Sequence, residues 1–271
     1  MSQDKKIVLF DSKKAREDNM SYRTTDIQVY IEGTDELVFR GKNKVIVGGS
    51  AFTAAKHFNL KPNVFTPTYN TVLGLENSVN EPYTGEGIRK EEQVYLFAVG
   101  IDGCGEENSQ VFNVDYTKWI APEHLVPFRY QLDKNDLGGF MRDKYFGRKV
   151  IGNRIAYYFK AFEAQPEFKQ QYVDGTPIDE NIYLSNRVEE VESFVEINLK
   201  ITKEDCRDFF AATTGINDAR INSISLLTAW QKEIDGHIYY QDIRPLTKLH
   251  FPNEALIDLS KGLDIIYHIY Y

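Results

Sequence analysis

Ser223-Ile-Ser-Leu-Leu-Thr-Ala-Trp-Gln-Lys-Glu-Ile234, Asp235-Gly236, His237-Ile-Tyr-Tyr-Gln-Asp-Ile-Arg-Pro-Leu-Thr-Lys-Leu249 is the stretch whose reading decides the fold. Two runs rich in β-branched and aromatic residues flank an Asp-Gly pair. A two-residue type I′ turn needs positive φ at both positions, which Asp and Gly tolerate, so the pair predicts a tight β-hairpin. Pairing outward from that turn sets Trp230 opposite Gln241, Thr228 opposite Ile243 and Ile224 opposite Thr247. Pro245 cannot donate to a ladder, so the second strand is an edge or stops pairing there.

Around this hairpin other strands follow. Glu190-Val-Glu-Ser-Phe-Val-Glu-Ile-Asn-Leu-Lys-Ile201 alternates Val195, Ile197, Leu199 and Ile201 against Glu196, Asn198 and Lys200. Thr202-Lys-Glu-Asp205 has the spacing of a capping box, predicting a helix to Thr214 that stops at Gly215. A short helix is expected over 253–260. Leu263, Ile265, Tyr267, Ile269 and Tyr271 then line one face of a terminal strand that needs partners. Residues 181–271 thus read as a strand–helix–hairpin–helix–strand module with an antiparallel sheet.

The front portion, 1–180, is read as β-rich, with the seam near Ile178 to Val188. Ile7-Val-Leu-Phe10 and Asp26-Ile-Gln-Val-Tyr-Ile-Glu32 are strands, and Leu37 to Val47 reads as two strands folded about Gly41-Lys-Asn43. Ser50 caps a short helix to Phe58. Residues 59–90, with Pro62, Pro67, Pro82 and three glycines, read as a long loop or arm. Gln93-Val-Tyr-Leu-Phe-Ala-Val-Gly100 is unbroken enough to be a central strand, with Gln110 to Tyr116 as its expected neighbour. Trp119, Ile120, Leu125, Val126 and Phe128 are candidate core. Ile155 to Phe162 and Glu167 to Val173 are further strands, the latter followed by the turn Asp174-Gly175-Thr176-Pro177. The fold class is α+β, β-rich, with antiparallel sheets and few short helices.

The chain has 271 residues, net charge −8 and 13% aromatic residues, with 17 Tyr and 17 Phe. That balance argues against gripping a nucleic-acid backbone. Arg142-Asp-Lys-Tyr-Phe-Gly-Arg-Lys149 is the best local basic candidate, but an acid interrupts its four basic residues and a solvated surface segment explains it. No apolar run is long enough for a membrane span, and Ile7 to Phe10 is too short for a secretory signal. Cys104 and Cys206 make neither a disulfide framework nor a zinc site, which fits a reducing compartment.

Candidate chemistry is sparse. Cys104, set between glycines, has Asp102, Glu106 and Glu107 beside it. Negative neighbours oppose a thiolate, although the same three acids offer oxygens to a hard cation. His57, His124, His237, His250 and His268 are scattered singly, without metal-ligand spacing. Gly48-Gly49-Ser50 before a helix is explained by helix entry. Tyr157-Tyr158-Phe159, Tyr239-Tyr240 and Tyr267 to Tyr271 are candidate stacking surfaces, or core and subunit contacts. No catalytic, cofactor-binding or metal residues are assigned, no cofactor is expected, and the chain is read as a non-enzyme.

Phe39-Arg-Gly-Lys-Asn-Lys-Val-Ile-Val-Gly-Gly-Ser50, Thr66-Pro-Thr-Tyr-Asn70 and Asp242-Ile-Arg-Pro-Leu-Thr-Lys-Leu-His-Phe-Pro-Asn253, with the acidic, Tyr- and Phe-rich composition, resemble virion structural proteins of tailed bacteriophages. The resemblance is to the non-enzymatic components of the neck, tail or capsid surface. It implies a subunit assembled in the host cytoplasm into a virion, in a neck or head–tail connection or a tail. It also implies a symmetric oligomeric ring whose partners are copies of the chain and other virion proteins. The alternative is a carbohydrate- or peptide-binding module, or a glycoside hydrolase-like enzyme whose two carboxylates converge only in the fold.

Overall fold

A computed structural model describes residues 25–42, 44–45, 49, 52–53, 55–56, 68–76, 91–101, 104–107, 110–113, 121–132, 136–178, 187, 190–216, 219–250 and 262–270. In chain order the elements are β1 (Thr25–Ile31), β2 (Leu37–Lys42), β3 (Lys44–Val45), α1 (Tyr69–Leu73), β4 (Gln93–Gly100), β5 (Cys104–Glu107) and β6 (Gln110–Asn113). There follow β7 (Leu125–Val126), β8 (Arg129–Leu132), β9 (Tyr145–Ile151), β10 (Arg154–Ala161) and β11 (Glu167–Tyr172). The last are β12 (Val191–Ile201), α2 (Arg207–Thr213), β13 (Ser223–Ile234), β14 (His237–Pro245), β15 (Thr247–His250) and β16 (Leu263–Tyr270). The structure is β-rich, with antiparallel sheets and few helices, as its β-branched and aromatic runs require.

Two sheets carry the architecture. The first is antiparallel in the order β11-β12-β16-β1-β2. Its inner face is the one the alternation marked: Ile27, Val29, Ile197, Leu199, Ile201, Leu263, Ile265 and Tyr267 are buried together. The terminal strand β16 lies between β12 and β1, paired on both edges, so the end of the described chain is held in a sheet.

The second sheet runs β3-β15-β13-β4-β10-β8, with β14 on β13, β7 on β4 and β9 on β10. Its central strand β4 is apolar on both faces because both are covered. Phe97 and Val99 point into the core shared with the first sheet, whereas Leu96 and Ala98 point into a second core with Tyr69, Tyr158 and Phe159. Strands β4 and β10 pair only at Phe97–Lys160 and Leu96–Ala161, then diverge. The stretch 125–132 fills the fork, β7 pairing with β4 and β8 with β10.

The Asp235-Gly236 hairpin forms as read: φ is +52° and +76°, and Trp230 faces Gln241. Beyond that the register shifts. Asp242 takes φ +54° and inserts a bulge, so Thr228 faces Arg244 rather than Ile243. Ile224 then faces Leu249, on β15, rather than Thr247. The bulge drives Ile243 inward to 1% exposure.

Several expectations are corrected. Gly41 is no turn: β2 continues through it, with Gly41 opposite Ile27, and β3 crosses to the other sheet to pair with β15. The neighbours of β4 are β13, β10 and β7; β6 pairs instead with β5, which occupies the expected turn. Within the expected arm, the described residues 68–76 carry α1, capped by the Thr68 hydroxyl and closed by Gly74 at φ +60°, with Tyr69 wholly buried. The Thr202–Asp205 box does not start its helix. Thr202 N–H donates to Asp205 Oδ2 at 2.8 Å, but the helix begins only at Arg207, after Cys206 at φ +63°. Both sheets take strands from either side of Ile178 to Val188, so residues 1–180 and 181–271 share their ladders. Leu125, Val126 and Phe128 are core. Ile7 to Phe10, Ser50, Trp119, Ile120, most of 59–90 and the helix over 253–260 lie outside the described residues.

Candidate functional site

The second sheet curls until its two edge strands, β9 and β14, approach one another without pairing. Phe146 of β9 meets Tyr240 of β14 edge-to-face at 4.6 Å. The segment carrying α1 spans the gap. Asn70 Oδ1 accepts the Ile243 N–H of β14 at 2.8 Å, and Glu76 N–H donates to the Arg148 carbonyl of β9 at 3.0 Å. One backbone donor of β14 and one backbone acceptor of β9 are therefore taken by the chain itself.

Between these edges lies a cleft with a cavity volume of about 330 Å³. Aromatic walls come from Phe146, Tyr239, Tyr240 and Tyr157, and polar groups from Arg142, Arg148, Glu76 and Asp136. Arg148 holds both acids: its Nε donates to Asp136 Oδ1 at 2.6 Å and its Nη1 to Glu76 Oε2. Tyr157 hydroxyl donates to Asp136 Oδ1 at 2.7 Å and accepts from Leu137 N–H. Arg142 donates to the Tyr239 hydroxyl. Burial, then the Asp136 hydrogen bond, pushes the Tyr157 phenol up, and burial raises Tyr240 to about 12. The Tyr157 phenol serves as a hydrogen-bond group. The two carboxylates are thus tied to one guanidinium.

Tyr145, at the floor of the cleft, leads into a buried charge cluster. Its hydroxyl donates to Asp205 Oδ1 at 2.7 Å and accepts from Arg129. Lys160 Nζ donates to Asp205 Oδ2 at 2.9 Å and to the Lys200 carbonyl at 2.6 Å. Burial, then the Asp205 charge, holds the Tyr145 phenol far above its ordinary range and keeps the neighbouring Cys206 thiol well above its own. Cys206 is thus an inert core residue. In the sequence Asp205 reads only as a capping residue and Cys206 only as a lone cysteine, and nothing there joins them to Lys160, Arg129 or Tyr145. Lys160 sits inside the apolar run 155–162, and that position was the available signal.

The sequence candidates scatter. Cys104, Glu106 and Glu107 lie on β5, paired with β6, while Asp102 is outside the described residues. Among the described residues no three His, Cys, Asp or Glu side chains gather to hold a metal. His124 ends a 3₁₀ turn, His237 lies 3.5 Å from Asp143, His250 is buried, and His268 bonds Glu196 at 3.0 Å. His57 is outside the described residues, as are Gly48 and Ser50. The basic run is broken up, Arg148 being ion-paired and Lys144 lying over the Phe140 ring. The Tyr157-Tyr158-Phe159 strip is split, Tyr157 entering one core and Tyr158 and Phe159 the other. Among the described residues no helix is long and apolar enough to cross a membrane.

Comparison of the chain with protein-family models, curated proteins and solved structures finds no match.

Proposed function

We propose that the chain is a non-catalytic structural subunit of a tailed-bacteriophage virion, in the neck, head–tail connection or tail. It joins copies of itself and other virion proteins in a symmetric ring through strand edges, loops and aromatic side chains. The observation that carries the reading is the edge strand β11. It pairs with β12 on one side, and its stretch Glu167 to Gln170 has no strand on the other among the described residues. Phe168, in that stretch, is 65% exposed. An open edge with an exposed ring suits strand addition from a neighbouring subunit, where the backbone supplies hydrogen bonds and the ring supplies buried area. The resemblance to virion proteins supplies the particle, and the edge supplies the mode of contact. In this reading residues 181–271 act as the strand–helix–hairpin–helix–strand module that their sequence pattern predicts.

Size-exclusion chromatography with light scattering, together with electron microscopy and mass spectrometry of native particles, tests the proposal. A ring-sized oligomer that is a component of the virion is expected. A chain that stays monomeric at high concentration and is absent from particles would overturn it.

A further inference from the structure

We infer that the cleft between β9 and β14 is a binding site for a neutral saccharide. Three observations select that class. Among the described residues the lining carries two guanidinium groups (Arg142, Arg148) against two carboxylates (Glu76, Asp136). A phosphate or a cation therefore finds no net opposite charge among these residues. The polar groups are locked before any ligand arrives, because Arg148 holds Asp136 and Glu76, Tyr157 holds Asp136, and Arg142 holds Tyr239. Groups fixed in advance lose little freedom on binding, and their remaining donors and acceptors match hydroxyls that act as both. The aromatic walls, with Tyr240 braced edge-on by Phe146, offer apolar surface to the C–H face of a sugar ring.

Two competing occupants fit less well. An extended peptide would bind by adding a strand, but Ile243 N–H and the Arg148 carbonyl are already used by Asn70 and Glu76. An oligonucleotide would need the basic excess that the lining lacks. At about 330 Å³ the cavity lies at the small end of ligand pockets, which fits a mono- or disaccharide unit and not a long chain.

The test uses the full chain on a glycan array carrying neutral, sialylated and phosphorylated oligosaccharides, followed by saturation-transfer NMR with the neutral ones. Retention of neutral glycans is expected. Tyr239→Ala and Arg142→Ala, each checked for an unchanged melting temperature, are expected to weaken binding about tenfold or more. Tyr239→Phe, which keeps the ring, separates loss of aromatic surface from loss of the hydroxyl, and is expected to bind more tightly than the alanine variant. The inference is overturned if no neutral glycan binds at millimolar concentration, if only charged glycans bind, or if binding survives both alanine substitutions.

Discussion

Lys160 Nζ and Asp205 Oδ2 lie 2.9 Å apart, 45 residues distant in sequence, with side-chain exposures of 1% and 0%. The pair pins β10 to the turn that precedes α2. Taking two charges out of water is costly, and the cost is offset only while each has its partner. Asp205→Ala leaves an ammonium buried against Tyr145, and a loss of about 3–5 kcal/mol in urea-unfolding free energy is expected. Replacing both residues, as Lys160→Met with Asp205→Leu, is expected to recover part of it, since the Tyr145 hydroxyl and Thr202 N–H still lose their acceptor. If the double variant is as unstable as the single one, the pair does more than satisfy its own charges.

Gly147 and Gly236 both have positive φ, +70° and +76°, but only Gly147 lies under a ring. A Cβ at 147 would sit 2.4 Å from Phe159 Cδ2, whereas one at 236 would meet nothing within 4 Å. Gly236→Ala is expected to cost about 1 kcal/mol from left-handed backbone strain. Gly147→Ala is expected to cost roughly 2–4 kcal/mol, since overpacking adds to the strain. Equal costs in denaturant titrations would show that Phe159 moves aside freely.

Glu196 accepts hydrogen bonds from Lys169 at 2.6 Å and from His268 at 3.0 Å on the outer face of the first sheet. Burial would raise its carboxyl, but the bonds from Lys169 and His268 outweigh it and hold the group below its ordinary value. A carboxyl depressed in the folded state binds its proton less readily than in the unfolded chain. Its contribution is therefore full above the unfolded value, near 4.5, and is lost as pH falls through the lower folded value. Melting temperatures between pH 7 and pH 3 should fall more steeply for the native chain than for Glu196→Gln, by a modest margin because the site is partly hydrated.

Cys206 is wholly buried, and its thiol is raised by burial and by the Asp205 charge. In a Cys104→Ser background, a thiol reagent at pH 8 is expected to label Cys206 only at the rate of unfolding. Rapid labelling of the folded protein would show that the α2 turn opens locally.

Asn70 ties α1 to β14 through the Ile243 N–H. Asn70→Ala leaves that buried donor without its acceptor, at a cost of about 1–3 kcal/mol, and amide exchange at Ile243 should speed up with it. Unchanged exchange would mean that this bond does not close the seam.

What the amino-acid order determined alone is local. Asp235-Gly236 imposes its turn through φ, the alternation of β12 selects its buried face, and the apolar run of β4 marks a strand covered on both sides. Each depends on residues within a few positions of one another, where conformational preference and periodicity act. Tertiary structure decided the rest. The Asp242 bulge moved the hairpin register, since turning Ile243 inward satisfies a core that the local pattern does not contain. Residues 68–76 read as loop because Pro67 and Gly74 dominate locally, yet the buried ring of Tyr69 and the two bonds across the seam hold a helix there. Lys160 sits inside an apolar run, but nothing in the linear chain pairs it with Asp205. Only the sheet order, which brings β10 against the turn before α2, buries them together, and low surrounding polarity then makes the pairing obligatory.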